Sequence, residues 1–198
     1  VSIDTTLGPV ARAALDAGAR IVNDVSAGTE DPDLLAAAAA GGAGLVLMHR
    51  LRPPEEDSYS DRYLEPPVYG DPVAAVAAFL RQRIAAAEAA GVPEAAIAVD
   101  PGLGFGKSVA DNLALVARGE RLLALGRPVL SGSSRKSFVG AVTGRPDPAD
   151  RLAGSLAVAV LHTLAGARIL RVHDVGPHVE ALAAALAVIE AEAATGSE

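Results

Sequence analysis

The chain has 198 residues, of which 51% are hydrophobic and only 3% aromatic, and its formal net charge is -7. The length allows one sizeable core, and an acidic balance without a long basic run argues against nucleic acid as a partner. With no cysteine there is no disulfide or thiolate chemistry. No apolar run reaches the length of a membrane span and no secretory signal is visible, so a cytoplasmic protein without a membrane partner is expected.

Residues 1–4 read as a short strand ending on Asp4. Residues 9–15 form an amphipathic helix closed by Gly18. Residues 20–25 make a second strand with a polar pair, Asn23 and Asp24, near its end, and a helix from Asp31 and Pro32 stops at Gly41 and Gly42. Residues 44–49 are a third strand. The stretch 50–70 breaks the rhythm with Pro53, Pro54, Pro66 and Pro67 among acids and tyrosines. It reads as a long loop, which in a compact domain is often functional, and its role is unassigned. Asp71 is placed as the N-cap of a long helix to Ala90.

Residues 95–99 are a fourth strand running into Asp100, followed by Pro101-Gly102-Leu103-Gly104-Phe105-Gly106-Lys107-Ser108 and a helix over 109–119. Glycine at that density serves a close backbone approach or positive φ angles. Two phosphate-binding patterns nearly fit and both fail. The phosphate loop needs glycine where Pro101 stands, and the dinucleotide fingerprint needs it where Lys107 stands. Residues 128–130 are the fifth strand, a helix covers 148–165, residues 167–172 are the sixth strand, and a last helix runs over 177–193. The tail, 195–198, is expected to fray.

Strands alternating with helices and no hairpin signals mean βα units and a parallel sheet. Polar residues stand at or near almost every strand end: Asp4, Asn23, His49, Asp100, Ser131, Arg171 and His173. An open sheet gathers its ligand groups at one switch point, whereas groups spread over all strand ends belong to a barrel mouth. A TIM-type (β/α)8 barrel needs eight units and about 250 residues. The expectation is therefore such a barrel with only the last six βα units present, the first two missing ahead of Val1.

Two carboxylates, an amide and Lys136 in a narrow mouth suit a flat heterocycle with several N–H donors and ring acceptors, since buried edges must be satisfied. Arg171 and His173 are available to an anionic group, and Ser133 and Ser134 add backbone N–H groups. Lys107 reads as a solvated residue, and His162 and His178 as structural or exposed. Arg12, Arg20, Arg81 and Arg83 read as surface.

Ile3-Asp4-Thr5, Asn23-Asp24-Val25-Ser26, Leu47-Met48-His49, the 100–107 block, Ser134-Arg135-Lys136-Ser137-Phe138 and Arg171-Val172-His173-Asp174-Val175 together resemble the dihydropteroate synthase family, in its order and from end to end of the chain. The resemblance implies one pterin-binding domain over 1–198. It implies a transferase of folate biosynthesis that joins p-aminobenzoate to 6-hydroxymethyl-7,8-dihydropterin diphosphate, giving 7,8-dihydropteroate and diphosphate. By the same resemblance Asp4, Asn23, Asp100 and Lys136 meet the pterin, and Arg171 and His173 the diphosphate. Phe105 and Ser137 lie near p-aminobenzoate, and Lys136, Asp100 and Arg171 are the catalytic group. Mg2+ and a homodimer are family expectations, with no metal ligand within this chain. The family's first strand with its mobile Asn-Val-Thr-Pro-Asp-Ser-Phe type loop, and the second with its Gly-Gly-Glu-Ser type loop, have no counterpart here. This chain alone is therefore expected to be inactive or nearly so. A methyltetrahydrofolate-binding methyltransferase domain and a non-catalytic paralogue are the alternatives.

Overall fold

The computed structural model describes residues 1–195; of the tail expected to fray, residues 196–198 lie outside the described residues. Strands β1 (Ser2–Asp4), β2 (Ile21–Asp24), β3 (Gly44–Met48), β4 (Ile97–Asp100), β5 (Val129–Ser131) and β6 (Ala167–Leu170) form one six-stranded sheet. Its order is the chain order, β1 to β6, and every neighbouring pair is parallel. Seven helices connect and follow them: α1 (Gly8–Asp16), α2 (Asp33–Ala40), α3 (Pro72–Ala89), α4 (Val109–Ala117), α5 (Ser137–Thr143), α6 (Leu152–Leu164) and α7 (Val175–Thr195). A doubly wound sheet reverses its order at a switch point. This one never reverses, so each crossover steps to the next strand in the same direction.

Alternation along the strands divides the apolar side chains between two faces. Val22, Leu45, Leu47, Ile97, Val99 and Val129 join the main core with Leu34, Leu80, Leu115 and Phe138 from the helices. Each fully buried leucine or phenylalanine there contributes about 2–3 kcal/mol. Val46, Ala98 and Leu130 form a separate small cluster on the other face. Asp100 follows Ala98 by two residues and shares its face. Asn23 is the register partner of Val46, and Asp4 of Asn23. Ile169 pairs with Leu130, so Arg171, two residues on, shares that face as well. Parity thus carries Asp4, Asn23, Asp100 and Arg171 to one face at one end of the sheet.

Asp71 caps α3 as expected, accepting from the N–H groups of Val73 and Ala74. Several boundaries differ by a residue or more, two of them with a visible cause. The fourth strand starts at Ile97 rather than 95, because Glu94–Ala96 form a 3-10 turn after Pro93. The helix expected over 148–165 begins as a 3-10 turn, Pro148–Arg151, capped by Asp147, before α6 proper.

Candidate functional site

The strand ends converge as parity dictates. Asn23 is buried and its Nδ2 donates to Asp4 Oδ2 at 3.1 Å, leaving Asp4 itself exposed at the mouth. Asp24, by contrast, turns away. Its carboxylate accepts from the N–H and hydroxyl of Ser26, both at 2.7 Å, and from Gly28 N, so it builds the following turn. Asp100 is 2% exposed and accepts from Gly102 N at 2.7 Å. Burial pushes its carboxyl upward, opposed by the Gly102 N–H and by the charges of Arg171 and Lys136. Gly132 lies between: a Cβ there would stand 3.5 Å from Arg171 and 3.8 Å from Asp100.

Lys136 follows β5 and is half-buried. Its Nζ stands 3.9 Å from the centroid of the Phe105 ring, a cation–π contact. Desolvation lowers it to about 8, Asp100 opposing and Arg171 assisting. Arg135, in a left-handed backbone conformation, clamps Asp174 with two hydrogen bonds of 3.0 and 2.6 Å. This ties the loop after β5 to the one after β6. His173 closes the same junction, its N and Nδ1 lying 3.2 and 3.1 Å from Ser134 Oγ.

Two cavities open here. The smaller, about 370 Å³, is lined by Asp4, Phe105, Gly132, Ser134, Lys136, Arg171 and His173 among others. The larger, about 820 Å³, shares Phe105 and Lys136 with it and continues past Arg135, Ser137 and Arg151. Asn23 and Asp100 are buried at the wall of the smaller cavity, Asn23 bonded to its Asp4 and Asp100 next to its Gly132. Both cavities are flanked by the long loop 50–70, which supplies Pro54 to both and Asp57, Tyr59 and Arg62 to the larger. The loop is laced onto the glycine stretch. Asp57 accepts from Gly106 N at 2.6 Å and from the Tyr63 hydroxyl, and Tyr69 donates to Gly106 O at 2.8 Å. Ser60 is buried; its N–H donates to Ser137 Oγ at 3.0 Å and its hydroxyl accepts from Asn112.

Several expectations need correction. Lys107 is not solvated: it is fully buried, and its Nζ lies 2.9 Å from His49 Nδ1, 3.2 Å from His49 O, 3.0 Å from Gly102 O and 2.8 Å from Phe105 O. Burial lowers it to about 7 against the pull of Asp100. His49 and Ser131 sit at strand ends but not in the mouth. His49 packs edge-on against Phe79 at 4.9 Å, and burial and the Lys107 charge hold it down at about 3. Ser131 follows Leu130 by one residue and so faces the helix side, where its Oγ meets His162 Nδ1 at 2.7 Å. His162 and His178 are both buried, which agrees with the structural rather than the exposed alternative, and desolvation lowers His162 to about 4. Arg83 is not free surface but donates to Ala27 O at 2.7 Å, steadying the turn after β2. Arg151, which nothing in the sequence singled out, is buried and donates to the carbonyls of Arg145, Arg135 and Pro146 beneath the larger cavity.

Comparison with known proteins agrees with this geometry. A family profile described as pterin binding enzyme matches residues 1–173. Dihydropteroate synthase of Mycobacterium leprae is 45% identical over 188 residues, covering 92% of this chain but 64% of its own length, less than two thirds. Two solved structures of dihydropteroate synthase from Xanthomonas albilineans are similar over 94% of this chain at 45% identity. One, in complex with 7,8-dihydropteroate, gives a TM-score of 0.84 and is covered over 66% of its length. The other, with 4-aminobenzoic acid, gives 0.85 and is covered over 64%.

Proposed function

The chain belongs to the pterin binding enzyme family, and from that premise we propose that the protein of which it forms part or all is a dihydropteroate synthase, joining p-aminobenzoate to 6-hydroxymethyl-7,8-dihydropterin diphosphate. The observation that carries the reading is the convergence of Asp4, Asn23, Asp100, Lys136 and Arg171 at one end of the sheet, beside a second cavity that shares Phe105 and Lys136. Support for the substrates comes from the relatives, whose solved structures hold 7,8-dihydropteroate and 4-aminobenzoic acid.

In this reading Asp4, Asn23, Asp100 and Lys136 hold the pterin ring, whose N–H edges need acceptors and whose ring nitrogens need a donor. Arg171 and His173 hold the diphosphate at the rim. The C–O bond between the pterin methylene carbon and the diphosphate breaks, and the electron pair leaves with diphosphate. The positive charge left on the pterin is stabilised by the buried Asp100. The aniline nitrogen, carried beside Phe105 with its carboxylate towards Ser137, attacks the methylene carbon and then gives up a proton. Electrostatic stabilisation by preorganised groups supplies the rate, not an enzyme nucleophile. Magnesium enters the family expectation as a diphosphate counter-ion. Among the described residues no cluster of three or more His, Asp or Glu side chains would hold a metal ion without the substrate, and no step is routed through magnesium.

We extend the proposal to architecture: the six strands are part of an eight-stranded barrel in which two further βα units close the gap between β6 and β1. The unreversed strand order supports this, as do outer strands with a single neighbour each. A homodimer is also proposed, since α7 leaves Val175, Val179 and Leu186 exposed on one side, an apolar strip that a second copy would cover. A cytoplasmic location belongs to the same reading; among the described residues no helix is long and apolar enough to cross a membrane. The test is product formation by the intact protein from the two substrates, followed by chromatography. Turnover that Arg171→Ala abolishes would support the reading, and wild-type protein that forms no dihydropteroate would overturn it.

A further inference from the structure

Lys107 is a fully buried cation that the proposed reaction leaves unused. Its surroundings are built for it. Four acceptor atoms from two different loops lie within 3.2 Å of Nζ: the ring nitrogen and carbonyl of His49 after β3, and the carbonyls of Gly102 and Phe105 after β4. Lysine has three donors and no acceptor, and its stem is long enough to reach all of them from within. The Gly102 carbonyl also accepts from Phe105 N at 3.1 Å, so Phe105 is tied to the ammonium directly through its carbonyl and indirectly through Gly102. On the opposite side of that backbone, the Phe105 ring stands over Lys136. The chain passes so near that a Cβ at Gly104 would lie 3.0 Å from Lys136 Cδ. Lys107 itself lines neither cavity.

We infer that Lys107 is a positioning residue for the second-substrate side of the site: from inside the protein it clamps the loops after β3 and β4 and thereby holds Phe105 against Lys136. Lys107 touches no reacting atom; it acts through Phe105. The kinetic consequence rests on the proposed function, but the geometric claim does not. Without the clamp the Phe105 carbonyl loses its inner partner, and the Gly102 carbonyl that accepts from Phe105 N loses its own tie to the interior. The ring then wanders over the boundary between the two cavities, where the aromatic amine would bind. Misplacement of about 1 Å at a reacting partner is enough to cost up to 100-fold in rate.

The experiment is NMR of the intact protein carrying lysine labelled with 13C at Cε. Lys136→Ala identifies the Lys136 signal, and Phe105→Leu gives its position without an overlying ring. In wild type the Lys136 methylene protons are shifted upfield by the ring. In Lys107→Met, which keeps the volume and removes every donor, that signal moves most of the way to its Phe105→Leu position. Lys107→Gln, shorter but still a donor, is the milder variant and is read in the same way if Lys107→Met does not fold. Kinetics then give a split: the KM for p-aminobenzoate rises about tenfold while that for the pterin diphosphate changes less than about threefold. A Lys136 signal that stays at its wild-type position in the variant that folds overturns the inference, even if thermal stability falls. Wild-type protein with no turnover would remove the proposed function, yet the position of the signal would still decide the role of Lys107.

Discussion

The loops that follow β4 and β5 each carry a lysine, and the two lysines turn in opposite directions. In the loop after β4, Lys107 points inward and spends its donors on carbonyls and a histidine ring. In the loop after β5, Lys136 points to the cavities and meets only the face of Phe105. The glycines differ in the same sense. Gly102 has a φ of 68°, and a Cβ there would overlap the His49 carbonyl oxygen, whereas Gly132 has ordinary van der Waals room around a Cβ. The loop after β4 is closed on its inner side and shows the cavities only Gly104 and Phe105, whereas the loop after β5 opens its lysine to them. The difference teaches that residue type does not set the role of a lysine near a site. The number of backbone carbonyls left for it by the neighbouring loops does.

The largest expected contrast is at Lys136. Lys136→Ala in the intact protein lowers kcat/KM by about 100- to 1000-fold, the scale of losing one preorganised electrostatic group, while the melting temperature stays within a few degrees of wild type. A large loss of stability with kcat/KM retained would make the two lysines alike and break the contrast.

Gly102→Ala comes next, read by urea unfolding. It forces both a left-handed backbone conformation and a clash with backbone that cannot swing aside, so about 3 kcal/mol or more of stability is lost. An unchanged midpoint would show that the loop after β4 is looser than described.

A third effect sharpens the comparison through pH. His49 and His162 are held at about 3 and about 4 in the folded protein, both below their ordinary value of 6.5. The unfolded chain therefore binds more protons than the folded one between these values. Stability falls as pH is lowered from about 6.5 towards 4, by roughly 2–3 kcal/mol per histidine at pH 4.5. His162→Asn cannot titrate but keeps a polar atom near Ser131, so its loss of stability between pH 7 and 4.5 should be smaller than that of wild type by about that amount. Equal losses in the two proteins would show that His162 is not the source.

The smallest effect is at Gly132. Gly132→Ala changes stability by less than about 1 kcal/mol, yet its new methyl takes up cavity space in contact with Arg171 and Asp100. Weaker binding of the pterin diphosphate with an unchanged unfolding midpoint is expected. A fall as deep as that of Gly102→Ala would erase the difference between the loops.

These contrasts show what could be read from the chain beforehand. The polar strand ends were legible, whereas the shared face of Asp4, Asn23, Asp100 and Arg171 follows from strand parity together with the register. The same parity already held the correction at Ser131, one residue out of step with Leu130 and so bound to face His162. Lys107 was not legible. Alternation ends with the strand, and the direction of a loop lysine depends on carbonyls of His49, 58 residues earlier in the chain. The loop 50–70 was recognised as a break in the pattern, but its attachment through Asp57, Ser60 and Tyr69 follows no period. Buried Arg151 gave no signal either, because its three partners are backbone carbonyls, which every sequence contains.

The central claim is that the strand-end pocket holds a pterin through Asp100 and its neighbours. Its most direct test is equilibrium titration of the intact protein with a dihydropterin, comparing wild type with Asp100→Asn. The amide occupies nearly the same space but presents an N–H where the ring edge needs an acceptor. The account predicts binding by wild type, weakened at least about tenfold in the variant, with the unfolding midpoint nearly unchanged. Equal affinity in the two proteins, or no binding by wild type, would contradict it.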